Sequence, residues 1–188
     1  HWEDAKGGTG CTICLAENGA ACGVDVRGGG PASRETELLK PTAAVEKIHA
    51  VLLCGGSAFG LAAADGVMSY LKERKIGFDT PYGPVPLVVA SSIYDLPCGD
   101  KDAYPQRESG YAAAVNAVEK NEALSGNYGA GTGATIGKIG GPRTAMKGGQ
   151  GFCAYKAGNL SVGACIVVNA LGDIVAKNGS ILAGMRKE

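Results

Sequence analysis

Glycine is the feature that most constrains this chain. It supplies 31 of the 188 residues, more than twice the usual ~7%. Each glycine loses more backbone freedom on folding than any other residue, so the fold has to use them. No repeat period is visible and proline is ordinary, which excludes collagen-like and low-complexity chains. With 45% hydrophobic residues, the chain can bury a core. Glycine in such a chain implies tight turns and main chains packed at close range. Composition shows no break, so residues 1–188 read as one domain.

Charge narrows the partners. Eighteen basic residues balance eighteen acidic ones, and no block of like charge occurs, so neither nucleic acid nor an anionic membrane has electrostatic support. The longest apolar runs are strand-sized, far below the ~20 residues of a spanning helix. The front, HWEDAKGG, lacks the apolar segment of a signal peptide. Seven cysteines, an odd number without an export signal, read as free thiols in a reducing cytoplasm. Cys11 and Cys14 form a C-x-x-C within TGCTICL, which reads as a strand; no second Cys/His pair completes a zinc set, so neither metal nor redox use is expected.

The chain divides into short elements. Residues 9–15 and 20–27 read as a strand pair turning at Glu17-Asn18-Gly19, because Asn-Gly is a strong hairpin signal. Residues 33–40 read as mobile or short-helical. Residues 47–54 form a buried strand ended by Gly55-Gly56, with Ser57 placed to cap a helix. From 58 to about 75, Phe59, Ala63, Val67, Tyr70 and Leu71 recur at helical spacing, and Gly77 reads as the terminator. Residues 85–94 form a strand, 97–109 a polar loop and 111–120 a second helix. Strands follow near 133–139, 150–156, 160–169 and 172–176. The expected class is α+β with segregated layers.

The run GNYGAGTGATIGK (126–138) suggests a phosphate loop, but its spacing does not. A Walker A loop would need glycine at Thr132 and a hydroxyl residue at Ile139. Gly129-Ala130-Gly131-Thr132-Gly133-Ala134 fits the dinucleotide pattern, yet leads into TIGKIGG, which cannot hold a helix, and the next acid is Asp173. A nucleophile elbow at Gly55-Gly56-Ser57-Ala58-Phe59 lacks its last glycine. Only His1 and His49 could serve a Ser-His or Cys-His triad, and His49 lies within an apolar strand, where a structural role fits better. What remains is a glycine-lined surface bearing Tyr94 at a strand end, Lys138 after the glycine run, and Asn169 closing an apolar run. Taken alone, each also reads as an ordinary core-edge, surface or turn residue. Asn169 stands out, because a buried amide needs partners.

Six blocks carry a family resemblance: DVRGGGPASRET (25–36), LLCGGSAFGLAAADGVMSYL (52–71), VPLVVASSIYDL (85–96), GNYGAGTGATIGK (126–138), KGGQG (147–151) and VVNALGDIV (167–175). In this order, over nearly the whole chain, they resemble the DmpA-type L-aminopeptidase/D-esterase family, which includes β-aminopeptidases and the endo-type nylon-oligomer hydrolase. The resemblance implies a four-layer αββα sandwich, related to that of ornithine acetyltransferase and completed by a second chain. It implies self-cleavage of a precursor before a Ser or Thr, whose new α-amino group is the base for its own hydroxyl. An α-amine of pKa ~7.7–8.0 can do the work of an imidazole, which suits a chain poor in histidine.

By the same resemblance this sequence is similar to the larger, N-terminal α chain. Its nucleophile lies on a β chain from the same precursor, beyond NGSILAGMRKE (178–188). Ser57, Ser91, Ser92, Thr132 and Thr135 are then not the nucleophile. Tyr94 matches an active-site tyrosine facing the nucleophile. Lys138 matches a lysine near the nucleophile and its amine in the nylon hydrolase. Asn169 matches an asparagine that holds the oxyanion. The implied substrates are N-terminal residues of peptides, small amides or esters; no cofactor or metal is implied, and the αβ unit is expected to form multimers. Two other readings stay open: acetyl transfer of the ornithine-acetyltransferase kind, and a non-catalytic metabolite-binding homologue.

Overall fold

The apolar run IHAVLLC forms β4 (Ile48–Cys54), the middle strand of a five-stranded sheet. The computed structural model describes every residue except Glu188. The sheet runs β1 (Trp2–Asp4), β2 (Thr9–Ala20), β4, β5 (Val88–Ser92), β3 (Ser33–Arg34). Neighbours are antiparallel except β4 and β5, which are parallel. A parallel neighbour needs a crossover, and helix α1 (Ala63–Glu73) supplies it. The sheet is therefore mixed, with one β–α–β unit inside a chain expected to keep strands and helices apart.

Helix α1 and helix α2 (Arg107–Glu119) cover one face of this sheet. Ala63, Ala64, Val67, Tyr70 and Leu71 line the buried side of α1 and meet Leu52, Val88, Ala113 and Ala114. Burying one such large apolar side chain contributes about 1.5–3 kcal/mol. The helices cross where both carry glycine. A Cβ on Gly66 would lie 1.8 Å from the Arg107 carbonyl oxygen, and one on Gly110 would lie 1.8 Å from that of Ala63. Close main-chain packing, expected from the glycine content, is realised here.

Several local expectations change. The predicted hairpin at Asn18-Gly19 does not form: β2 runs on to Ala20, and residues 21–32 have no regular structure. Gly19, at φ +74, sits instead where the β2–β4 register slips between Leu15–Ala50 and Ala20–Ile48. The left-handed glycine makes a bulge because β4, not residues 20–27, is the partner β2 finds. Ser57 does not cap a helix; it opens a 3-10 segment, Ser57–Ala62, and Phe59 is 60% exposed, stacked on Tyr104. Helix α1 is closed off by Lys75, two residues past its end and at φ +57, whose neighbour Ile76 donates to the Leu71 carbonyl. Gly77 is instead pressed on the Val85 main chain. Helix α2 starts within the expected loop, because Gln106 and Ser109 form a capping box.

The second half supplies pairs of strands: β6 (Thr135–Ile136) with β7 (Met146–Lys147), β8 (Gly149–Ala157) with β9 (Leu160–Val168), and β10 (Ile174–Val175) with β11 (Ile181–Ala183). Successive strand residues face opposite ways. Cys11 points toward α2, reaching the Ser109 carbonyl, so Thr12 points away from the helices, where it donates to Gln150 on β8 at 2.6 Å. Hairpin β8–β9 thus lies on the side of the sheet that the helices leave open. Its Tyr155, Leu160, Val162 and Ile166 are exposed.

Candidate active site

The glycine run is not an open loop. Residues 129–134 are all buried. Cβ atoms on Gly129, Gly131 and Gly133 would meet Thr12 Oγ1 at 2.1 Å, the Gln150 nitrogen at 2.3 Å and Asp95 Oδ2 at 2.2 Å. Five of the six amides in residues 129–134 are spent within the protein. Gly129 donates to Glu3, Ala130 to Thr12, Gly131 to Tyr128, Thr132 to Gly129 and Ala134 to Gly131. A phosphate cradle needs such N–H groups free and convergent; here they hold the chain together.

From this run the chain leads to Lys138. Gly137 and Lys138 donate to the carbonyls of Gly172 and Leu171 at 2.9 and 2.7 Å. That pairing sets Lys138 beside Asn169, just past the end of β9. The Lys138 ammonium donates to Asn169 Oδ1 at 2.8 Å and to the Asn169 carbonyl at 3.0 Å. Thr135 adds its backbone N–H to Oδ1 at 3.0 Å. Two donors on one amide oxygen assign which end is which. The nitrogen end faces the Tyr94 carbonyl and donates to it at 2.9 Å. An amide nitrogen carries two N–H groups, so one is left for another acceptor.

Tyr94 lies two residues beyond β5. Ile93 before it donates to Cys54 and accepts from Ser57. Tyr94 is 60% exposed. Tyr94, Lys138 and Asn169, 75 residues apart in sequence at their extremes, therefore converge at the ends of β5, β6 and β9. Burial lowers the Lys138 pKa, and the Asp95 charge works against that shift.

Asp95 escaped the sequence reading. It is 3% exposed, accepts from the Thr9 hydroxyl at 2.9 Å and from the Gly56 amide at 2.5 Å. Its position after Tyr94 was the only available signal. His49 is buried and structural, its Nδ1 accepting the Leu87 N–H at 3.2 Å. Ser92 donates to the carbonyls of Gly55 and Ser57, and Thr132 to that of Asn127, so neither hydroxyl meets a base there. Cys11 is buried and Cys14 exposed, on opposite faces of β2. Among the described residues no cluster of His, Cys, Asp or Glu could hold a metal, and no helix is long and apolar enough to cross a membrane.

Comparison with known proteins gives this arrangement a setting. An uncharacterized aminopeptidase of Mycobacterium leprae is 42% identical over 174 residues, covering 88% of this chain and 46% of its own length. The 6-aminohexanoate-oligomer endohydrolase of Kocuria sp. is 33% identical over 184 residues, covering 98% and 48%. The chain thus spans about half the length of the curated relatives it matches. In structure it is similar to a Burkholderia β-aminopeptidase, with a TM-score of 0.57 at 14% identity over 89% of this chain and 42% of that one. It is also similar to the L-aminopeptidase D-Ala-esterase/amidase of Ochrobactrum anthropi, described as a variant of the Ntn-hydrolase fold, with a TM-score of 0.55 at 16% identity over 86% and 40%. The fold is accordingly mixed α/β, similar to these Ntn-hydrolase-like aminopeptidases. The family model for peptidase family S58 matches residues 1–185, nearly the whole chain and a range that contains all six sequence blocks: the chain belongs to peptidase family S58.

Proposed function

We propose that this chain is the α chain of a self-processed amide hydrolase, which releases N-terminal residues from peptides or cleaves small amides and esters. Its fold is one part of a four-layer αββα sandwich. A β chain from the same precursor supplies the rest, including a Ser or Thr nucleophile with a free α-amine, and the αβ units form multimers. Two features support a second chain. The relatives are about twice as long, and hairpin β8–β9 carries exposed apolar residues, where an isolated hairpin is only marginally stable. The seven free thiols favour a cytoplasmic enzyme.

In this mechanism the α-amine takes the proton of its own hydroxyl as the oxygen attacks the substrate carbonyl. The carbonyl oxygen becomes an oxyanion and accepts the second Asn169 N–H. Collapse expels the leaving group, which takes the proton, and water then hydrolyses the acyl-enzyme. Lys138, bound to the oxygen end of Asn169, fixes the amide donor-side out and keeps the neighbouring amine neutral by like charge. Tyr94 faces the nucleophile. No cofactor is required.

The observation that carries the proposal is the oriented Asn169 amide, its oxygen occupied by Lys138 and Thr135. Asn169→Ala should lower turnover of an amino-acid p-nitroanilide ~100–1,000-fold, as loss of an oxyanion donor typically does, with little change in KM. Near-normal turnover in the assembled variant would remove Asn169 from the mechanism.

A further inference from the structure

Asp95 is the one acidic side chain among the buried polar residues described. Burying a carboxylate is costly, and a neutral residue would serve simple packing better. Its neighbours show what the charge is used for. One oxygen accepts the amide of Gly56, a left-handed residue at φ +78. The other accepts the Thr9 hydroxyl from β2. Cβ atoms on Gly55 and Gly133 would lie 2.0 and 2.2 Å from that oxygen, so two glycine-rich segments close directly onto the carboxylate. The charges of Lys147 and Lys138 reach it from the β6–β7 side.

Both ends of the Asn169 amide trace back to this carboxylate. Tyr94 is exposed, and burial does not anchor it. Its carbonyl is placed by its flanks: Ile93, held by main-chain bonds, and Asp95, held by its side chain. That carbonyl receives the Asn169 amide nitrogen. On the other side, Gly133 rests on the carboxylate, and Thr135 two residues later donates to the Asn169 oxygen.

We propose that Asp95 is a positioning residue whose clamped carboxylate sets the Tyr94 carbonyl and the Thr135 amide, and through them the donor direction of Asn169. The inference rests on the oxyanion role of Asn169 given above. Burial pushes the Asp95 carboxyl up, while the Gly56 and Thr9 donors pull it back toward the ionised form that the clamp needs.

The test is a double-mutant cycle in the complete protein. Asp95→Asn should lower kcat about 10–100-fold, below the ~100–1,000-fold of outright donor loss, with KM little changed. In an Asn169→Ala background the same substitution should cost almost nothing, because its target is gone. A crystal structure of Asp95→Asn should show the 2.9 Å contact between Asn169 and the Tyr94 carbonyl lengthened or lost. If Asp95→Asn does not assemble, Thr9→Val, which removes one donor and keeps the carboxylate, should give a smaller loss of the same pattern. Full turnover, equal losses in both backgrounds, or an unmoved Asn169 would overturn the inference. Normal turnover in Asn169→Ala alone would instead remove the oxyanion reading itself, and this inference with it.

Discussion

Gly110→Ala sets two opposing effects against each other. In an exposed helix the change would stabilise by up to ~1 kcal/mol through propensity. In α2 the new Cβ would sit 1.8 Å from the Ala63 carbonyl oxygen and 2.6 Å from its carbon. Both are backbone atoms of α1, so no rotamer change can clear them. The helices would have to part by more than an ångström, drawing Ala113 and Ala114 from the packed face. Overpacking of this kind costs about 1–3 kcal/mol, occasionally more, and an immovable backbone places it at the upper end. The net effect is a loss of about 2 kcal/mol, a fall in Tm of ~4–8 °C for a domain of this size. Thermal denaturation of the complete protein at fixed concentration measures it. Gly66→Ala, blocked by the Arg107 carbonyl at the same crossing, should act alike, and the pair should cost less than the sum because one displacement relieves both. A Tm unchanged or raised in Gly110→Ala would refute the claim that glycine is there for close helix packing.

Lys138→Met should move the acidic limb of the pH–rate profile upward. In the proposed mechanism the ammonium disfavours a second positive charge on the catalytic α-amine and so lowers its pKa; without it the amine would protonate at higher pH and activity would be lost sooner on acidification. An unchanged profile and rate would make Lys138 a surface lysine. Native-state alkylation with iodoacetamide should spare Cys11 and Cys54, because burial pushes their thiols up to about 12 and about 11, and the thiolate is the reactive form. Rapid modification of Cys11 in folded protein would contradict its place under α2.

The parts of the fold legible in the sequence are those decided by local pattern. Strand β4 was written in an unbroken apolar run, and the buried stripe of α1 in helical spacing. The hairpin at Asn18-Gly19 was misread because a turn signal says only that the backbone can bend; which strand pairs with β2 is decided by the distant segment 48–54. Ser57 and Gly77 failed for a similar reason. Each has a familiar local role that tertiary contact overrides, with Gly77 pressed on Val85. At the candidate site, Tyr94, Lys138 and Asn169 stood out only through family resemblance, since nothing local distinguishes them from core-edge, solvated or turn residues; what the structure adds is that they converge. Asp95 was invisible because burial of a charge is a property of the assembled chain, created here by Thr9, Gly56 and Gly133 from three separate segments.

The central proposal, that this chain works as one half of a self-cleaved hydrolase, is tested most directly by the mass of the denatured product of the complete gene. Two masses are expected, one for a chain that contains residues 1–188 and one for a chain beginning with Ser or Thr. A single intact mass in fully active enzyme would contradict it.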